Sequence, residues 1–451
     1  MTELDESREG SVAEHPEQHP DGSVVDALPY GESNATQRGL KLLAGMTDGR
    51  TMRVYDAQSP VARSVVTFGT IDMKRHITIV QPAIPNYRRS LFERMAHKLG
   101  SNFVVYASNQ QELGVLSDVL AEEDRPSWQR DLGRMRPLLL GLDWQEGASS
   151  VAVRRGDVLV ICGAPRNLST IVLLLKGLLL GAHTIWWGHY WSATSRSWGA
   201  AIRYALMRVP DAIVFYTEQE VDEYYAGGGN RKKKPAFGLN NGIETSEIVR
   251  LRTVYSIERR PRDLLFIGRI TPKAELDILL DALSFPSCQG ITLDVIGSGH
   301  DEARLRKRCA DIGIADRVAW HGGTVDEKQI ATVANQCKAF VYPGSVGLSL
   351  IHGLSYGLPA IVHDNRWAHM PEIAALKPNR NGVTFQRGEA GSLAITIAVL
   401  LANQTRLTEM SRSATDTTAV TFNASDMAER FCSAIEQVVA GSETKVGRYR
   451  R

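Results

Sequence analysis

The stretch DLLFIGRITPK (Asp263–Lys273), followed by VIGSGHDEARL (Val295–Leu305) and PGSVGLSLIHGLSYGLPAIVHDN (Pro343–Asn365), decides the fold. In and around it, DLLFIG, ITLDVIG and KAFVYPG are short apolar runs bounded by Gly or Pro, the pattern of strands buried in a parallel sheet. Each run leads through a turn into a helical pattern. Three strand–loop–helix units therefore follow one another, and a ligand belongs at the carboxyl ends of their strands. Arg269 and Lys273 come directly after the first strand and are natural counter-charges for a diphosphate. Most Arg and Lys side chains are simply solvated. The GR-x-x-x-K spacing behind an apolar strand favours the ligand reading here.

Outward from this stretch, the pattern repeats. HITIV, FVVYA, DVLVIC, HTIWW and DAIVFY read as strands from His76 onward, with helical stretches between them. The helix over Tyr87–Leu99 places Leu91, Phe92, Met95, Ala96 and Leu99 on one face. The expected fold class is α/β, with two doubly wound, Rossmann-like domains facing a cleft. The expected divisions are an extension over 1–72, a first α/β domain over 73–240 and a polar connection over 241–262. A second α/β domain over 263–421, a last helix over 422–441 and a basic tail over 442–451 complete the chain.

Length and composition agree with two domains. The chain has 451 residues, beyond the roughly 250–300 at which one core stops growing. Lys and Arg number 52 against 50 Asp and Glu, which gives no support for a nucleic-acid partner. Residues 1–35 are polar and poor in apolar positions, a disordered composition. The start MTELDESREG is not a secretory signal. Five cysteines without CxxC spacing point to a reduced, cytoplasmic protein. The run IVLLLKGLLLGA (Ile171–Ala182) carries Lys176 and is too short to span a bilayer. It reads as a buried helix feeding HTIWW.

Other chemistry-bearing residues keep two readings. Gly297-Ser298-Gly299 is either a tight turn or a close approach of backbone to ligand. Ser345 can cap a helix whose first amides are those of Val346, Gly347 and Leu348, an anion site. His352 lies about two turns further on, as a core-edge histidine or a ligand contact. His189, in WWGHYW, follows a strand among Trp186, Trp187, Tyr190 and Trp191. Those rings either stack on a sugar or pack the domain face. The chain has no DxD and no Cys/His cluster with metal spacing. His15 and His19, four apart, fall in the Pro-flanked start as a chance pair. No metal and no cofactor are expected.

The ordered set FIGRITPKAELDILLDAL, LDVIGSGHDEARL, VAWHGGTVDEKQI, AFVYPGSVGLSLIHGLSYGLPAIVHD and Pro371-Glu372 resembles the nucleotide-sugar half of retaining glycosyltransferases of family four, which have the GT-B fold. GHYW, FYTEQE and LNNGIE (Leu239–Glu244) extend the resemblance to the first domain, so that it covers Ile77–Val439. It implies a nucleotide diphosphate-sugar donor held mainly by the second domain, and a glycan or lipid-linked hydroxyl acceptor on the first. Arg269 and Lys273 match the diphosphate-binding pair, with His189 and Glu372 beside the transferred sugar. Gly268, Gly297 and Ser298 match donor-side loops, and Gly322–Val325 matches the nucleobase loop. Ser345, Val346, Gly347 and Leu348 match the phosphate-binding helix start. Many members carry two glutamates eight positions apart, where this chain has Gly344 and His352. His352 can serve the ribose by hydrogen bonding, and Glu372 or Asp364 is left to serve the sugar.

The implied activity is metal-independent, retaining sugar transfer in cell-surface glycan or polysaccharide synthesis. The alternatives are a non-catalytic nucleotide-sugar-binding or scaffold subunit, or a GT-B epimerase or phosphorylase. A basic face on the Tyr87–Leu99 helix (Arg88, Arg89, Arg94, Lys98), with Arg231–Lys234, suggests peripheral contact with the inner face of a membrane. A merely solvated helix face is the equal alternative.

Overall fold

The computed structural model describes residues 75–109, 119–191 and 197–448. The extension over 1–72, with His15 and His19, and the end of the tail lie outside the described residues.

The first sheet is assembled from β1 (Ile77–Ala83), β2 (Phe103–Ser108) and β3 (Gln129–Leu132). An antiparallel ribbon of β4 (Met135–Pro137) and β5 (Asp143–Gln145) intervenes before β6 (Val158–Cys162), β7 (His183–Trp187), β8 (Ala212–Phe215) and β9 (Ala236–Gly238). The sheet is parallel, with strand order β3-β2-β1-β6-β7-β8-β9. The second sheet holds β10 (Arg262–Ile267), β11 (Leu293–Ile296), β12 (Val318–Trp320), β13 (Cys337–Tyr342), β14 (Ala360–His363) and β15 (Gly382–Phe385). Its order is β12-β11-β10-β13-β14-β15, also parallel. Both orders are doubly wound. The chain reverses its direction of travel between β1 and β6, and again between β10 and β13. Those two crevices are where such sheets take ligands.

Helices α1 (Arg89–Leu99), α2 (Leu168–Leu180), α3 (Ser197–Met207) and α4 (Glu218–Ala226) accompany the first sheet. The α1 stripe is as the periodicity predicts: Leu91, Phe92, Met95 and Leu99 are buried. The short α5 (Ser246–Leu251) lies within the polar connection, and its Ile248 joins the second core. Around the second sheet run α6 (Leu276–Ser284), α7 (Glu302–Asp311), α8 (Glu327–Ala334), α9 (Leu348–Ser355), α10 (Ala390–Leu401) and α11 (Gln404–Val420). The last helix, α12 (Ala424–Arg448), returns to the first domain. Its Met427, Phe431 and Ile435 share a core with the α1 stripe. It extends through most of the span read as a tail. The outgoing and returning chains touch where they cross: the Ala424 N–H donates to the Ile243 carbonyl at 2.9 Å.

Two sequence expectations are corrected, and one open pair of readings is decided. The apolar α2 is not buried all round. Leu173 and Leu174 face the sheet, whereas Val172, Leu175, Leu178, Leu179 and Leu180 are exposed, because one sheet covers only one side of a helix. Secondly, Arg88 is not part of a basic helix face. It is buried, with its guanidinium carbon 4.7 Å from the Trp187 ring centre and 5.1 Å from that of Tyr216. Arg94 and Lys98 are spent on ion pairs with Glu244 and Glu429. Finally, Trp186 and Trp187 are fully buried packing residues, so the packing reading holds for both.

Candidate active site

The carboxyl edge of the second sheet is a stack of three loops joined by backbone hydrogen bonds. Gly268 N–H donates to the Ile296 carbonyl (3.0 Å), Ile270 N–H to that of Ser298 (3.0 Å) and Gly297 N–H to that of Gly322 (2.8 Å). A Cβ on Gly297 would stand 1.9 Å from the Gly268 carbonyl oxygen, and one on Gly299 as close to that of Ile270. These glycines are therefore required by loop-on-loop packing. Arg269 and Lys273 are both exposed on this edge. Lys273 is not in the opening turn of a long helix. It lies in a short 3-10 turn, Pro272–Ala274, which the left-handed Glu275 separates from α6. Val325, in the loop after β12, is 85% exposed.

The next loop presses on that turn. The Ser345 N–H donates to the Lys273 carbonyl at 3.0 Å. A Cβ on Gly344 would stand 2.2 Å from the same oxygen. In this conformation no side chain fits at Gly344, so the position where the resemblance implies a glutamate is closed by backbone. Helix α9 starts at Leu348 with Gly347 as its N-cap, and Ser345 makes no cap. The first amides of any helix lack intrahelical acceptors, but that of Val346 precedes this helix and is already committed to His369 Nδ1 at 3.2 Å. His352 is one turn into α9, not two. Its Nε2 lies 3.0 Å from Glu327 Oε1, which also accepts from the Tyr356 hydroxyl. A carboxylate from α8 is thus brought to the His352 position. Burial raises the Glu327 pKa, but the bonds from His352 and Tyr356 outweigh it, and the net shift is downward.

Facing this edge is a buried polar chamber contributed by both domains. Asn241 Nδ2 donates to Glu372 Oε1. The other Glu372 oxygen lies against the start of α9, 3.6 Å from where a Gly347 Cβ would be. Arg366 pairs with Glu223 at 3.3 Å, and Trp191 meets Trp367 edge-on at 5.1 Å. The His189 ring lies over Tyr216 at 4.2 Å. Its Nδ1 is 3.9 Å from Glu220 Oε1, too long for a hydrogen bond. Glu220 itself is fully buried as the N3 residue of the α4 capping box, and burial pushes its pKa up to about 8. Burial, with the charges of Arg88 and Arg203, depresses the His189 pKa to about 3, so the imidazole is neutral.

Six buried polar atoms of this chamber have no hydrogen-bond partner: Arg88 Nη1, His189 Nδ1, Asn241 Oδ1, Arg366 Nε and Nη1, and Glu372 Oε2. Each such atom costs about 1–3 kcal/mol, so the cluster calls for partners from outside the chain, whether water or a polar ligand. Arg88, Asn241, Arg366 and Tyr216 were not singled out as site residues from the sequence. Arg88 could have been, since it follows β1 at the first domain's own switch point.

Behind the α9 start, His363 and His369 stack with ring centres 3.6 Å apart. Burial lowers their pKa values to about 3 and about 4; His369 and Arg387 add to the fall of His363, and Arg366 and Arg387 to that of His369, which its hydrogen bond to the His363 carbonyl opposes. Both fold neutral, whereas the unfolded chain protonates them near 6.5. Below that pH the unfolded state binds more protons, so stability is full above it and is lost as pH falls toward the folded values. The expected loss is about 1.4 kcal/mol per pH unit for each histidine. The melting temperature should drop steadily between about pH 6.5 and 4.5. A flat profile across that range would contradict the neutral pair.

Residues 250–417 match the family model described as glycosyl transferases, group 1. The match spans nearly all of the second domain. The fold of the whole described body is GT-B. HepE of Anabaena, in a complex with UDP, superposes with a TM-score of 0.58 at 14% identity, covering 80% of this chain and 100% of that one. The same protein was also solved with UDP-glucose. Sucrose-phosphate synthase of Thermosynechococcus elongatus gives 0.60 at 15% identity, covering 82% and 100%. A glycosyltransferase of Rickettsia africae gives 0.58 at 12%, covering 81% and 99%. No curated protein matches the chain in sequence.

Proposed function

We infer that this protein transfers a sugar from a nucleoside diphosphate-sugar to a hydroxyl acceptor, with retention at the anomeric carbon. The observation that carries this reading is the chamber of partnerless polar atoms beside the Arg269–Lys273 edge. A sugar offers both donors and acceptors, and so suits Arg88, His189 and Glu372 together. In the reaction the bond from the anomeric carbon to the diphosphate oxygen breaks on the same face on which the bond to the acceptor oxygen forms. The departing diphosphate takes the acceptor's proton. Arg269 and Lys273 stabilise the charge that develops on it. Neutral His189 and the Glu372 carboxylate orient the sugar. The Gly322–Val325 loop lies by the base, and His352 with Glu327 by the ribose.

The closed position at Gly344 favours a second reading, a subunit that binds donor without turning it over. Incubation with a panel of nucleotide sugars, beginning with UDP-glucose, separates the two. Nucleotide release that requires an acceptor supports transfer, and tight binding without release supports the binding subunit. A changed sugar without acceptor would indicate an epimerase.

The described residues contain no group of three His, Cys, Asp or Glu side chains placed to hold a metal ion. With no DxD in the sequence, turnover should survive EDTA. Complete loss, restored by manganese or magnesium, would reveal a metal-held diphosphate.

A further inference from the structure

We propose that the first domain docks on an anionic lipid bilayer through the outer face of α2 and the tip of the β4–β5 ribbon. At the ribbon tip, Leu139 is 88% and Leu140 96% exposed, and Leu179 of α2 is 86% exposed. Leu140 holds a left-handed φ of 62°, a conformation that costs a branched residue energy. The tip is therefore an outward-turned pair of leucines with no packing role.

The two features form one surface. The Asp143 N–H donates to the Arg166 carbonyl at 2.9 Å, and the Gln145 N–H to Ser169 Oγ at 2.7 Å. The ribbon is thus fastened to the N-terminal turn of α2, from which Val172, Leu175 and Leu179 continue the exposed stripe. Because α2 follows β6, this end lies at the carboxyl edge of the first sheet, the edge that also carries His189. An acceptor borne by a lipid would meet the cleft from this side.

Charge selects the occupant. Between Gly133 and Pro210 the acidic residues are Asp143, Glu146 and Asp157, against nine lysines and arginines, in a chain whose net charge is only +2. Arg166 at the start of α2 pairs with Asp143 at 3.0 Å, whereas the Arg155 stem lies 3.4 Å from where a Cβ on Gly181, at the helix end, would be. Apolar side chains framed by cations suit the boundary between headgroups and acyl chains. A second copy fits worse, since a two-fold contact sets the same patch against itself and brings like charges together. Among the described residues no helix is long and apolar enough to cross a membrane, so the contact is with its surface.

The test uses the full-length protein co-sedimented with vesicles of phosphatidylcholine, with and without phosphatidylglycerol. Binding is expected on the anionic vesicles, and should fall as salt is raised. The pairs Leu139→Ser with Leu140→Ser, and Leu175→Ser with Leu179→Ser, should each lower it at least tenfold. Arg155→Ala should lower it about fivefold. Val254→Ser, at an exposed position of the connection between the domains, should leave it unchanged. Nucleotide-sugar binding in solution should be unaffected in all of these, so the result is independent of the transfer reaction. The proposal is overturned if the wild type ignores anionic vesicles at low salt, or if the leucine variants bind as well as it does. A dimer that the leucine variants dissolve, without vesicle binding, would assign the surface to a second copy instead.

Discussion

Arg269→Ala and Lys273→Ala should each lower turnover about a hundred- to a thousandfold, the usual cost of removing one preorganised electrostatic contact. Both side chains are exposed at the end of β10, so neither contributes a buried contact and the melting temperature should not change. The size of the effect comes from how firmly their bases are held. The Lys273 carbonyl accepts the Ser345 N–H, and the absent side chain at Gly344 lets the two loops close on each other. The backbone that carries the cation is thereby held beside the crevice between β10 and β13, which limits the reorganisation needed as charge develops on the leaving diphosphate. Donor affinity should weaken in both variants, because the charge is partly present in the ground state. Steady-state kinetics with a calorimetric donor affinity would check this. Wild-type values in both variants would remove the diphosphate assignment.

Glu372→Gln should lower turnover about a hundredfold and leave the fold intact, since an amide oxygen can still accept the Asn241 hydrogen bond. Burial raises the pKa of this carboxyl; Asn241, a backbone hydrogen bond and the fields of Arg88 and Arg366 oppose the rise without cancelling it. Two signs follow. The acid limb of turnover should lie above the ordinary glutamate range, and the glutamine variant should lose that limb. A raised folded pKa also means that ionisation counts against the folded state as pH rises through it. The neutral glutamine avoids that cost, so the variant should melt at the same temperature as the wild type at neutral pH, or higher. Lower activity with undiminished stability is the signature of a group kept for function. A folded Gln variant with wild-type turnover would refute the role.

The sequence by itself determined the repeating strand–loop–helix order and the edge on which ligands belong. Apolar runs such as DLLFI and HITIV are set by the chain's own period, and β1, β2, β6, β7, β8, β10, β11 and β13 stand where those runs lie. Arg269 and Lys273 were legible because position after a strand is a local property. The sheet-edge strands β3, β9, β12 and β15 carry too little apolar pattern to be seen before their partners supply the hydrogen bonds. Only the tertiary structure decided what distant loops do to one another. Arg88 reads locally as one more cation beside a helix, yet the rings of Trp187 and Tyr216 enclose it. Gly344 reads as a missing glutamate, yet the Lys273 carbonyl fills the space a side chain would need. Asn241 and Glu372 are 131 residues apart and share a hydrogen bond. Helix α2 reads as buried because periodicity reports how apolar a helix is, and not how many of its sides the fold will cover. Local pattern fixes the elements, since it depends on neighbours in the chain. The site depends on which loop ends the two sheets bring together, and that is fixed by packing alone.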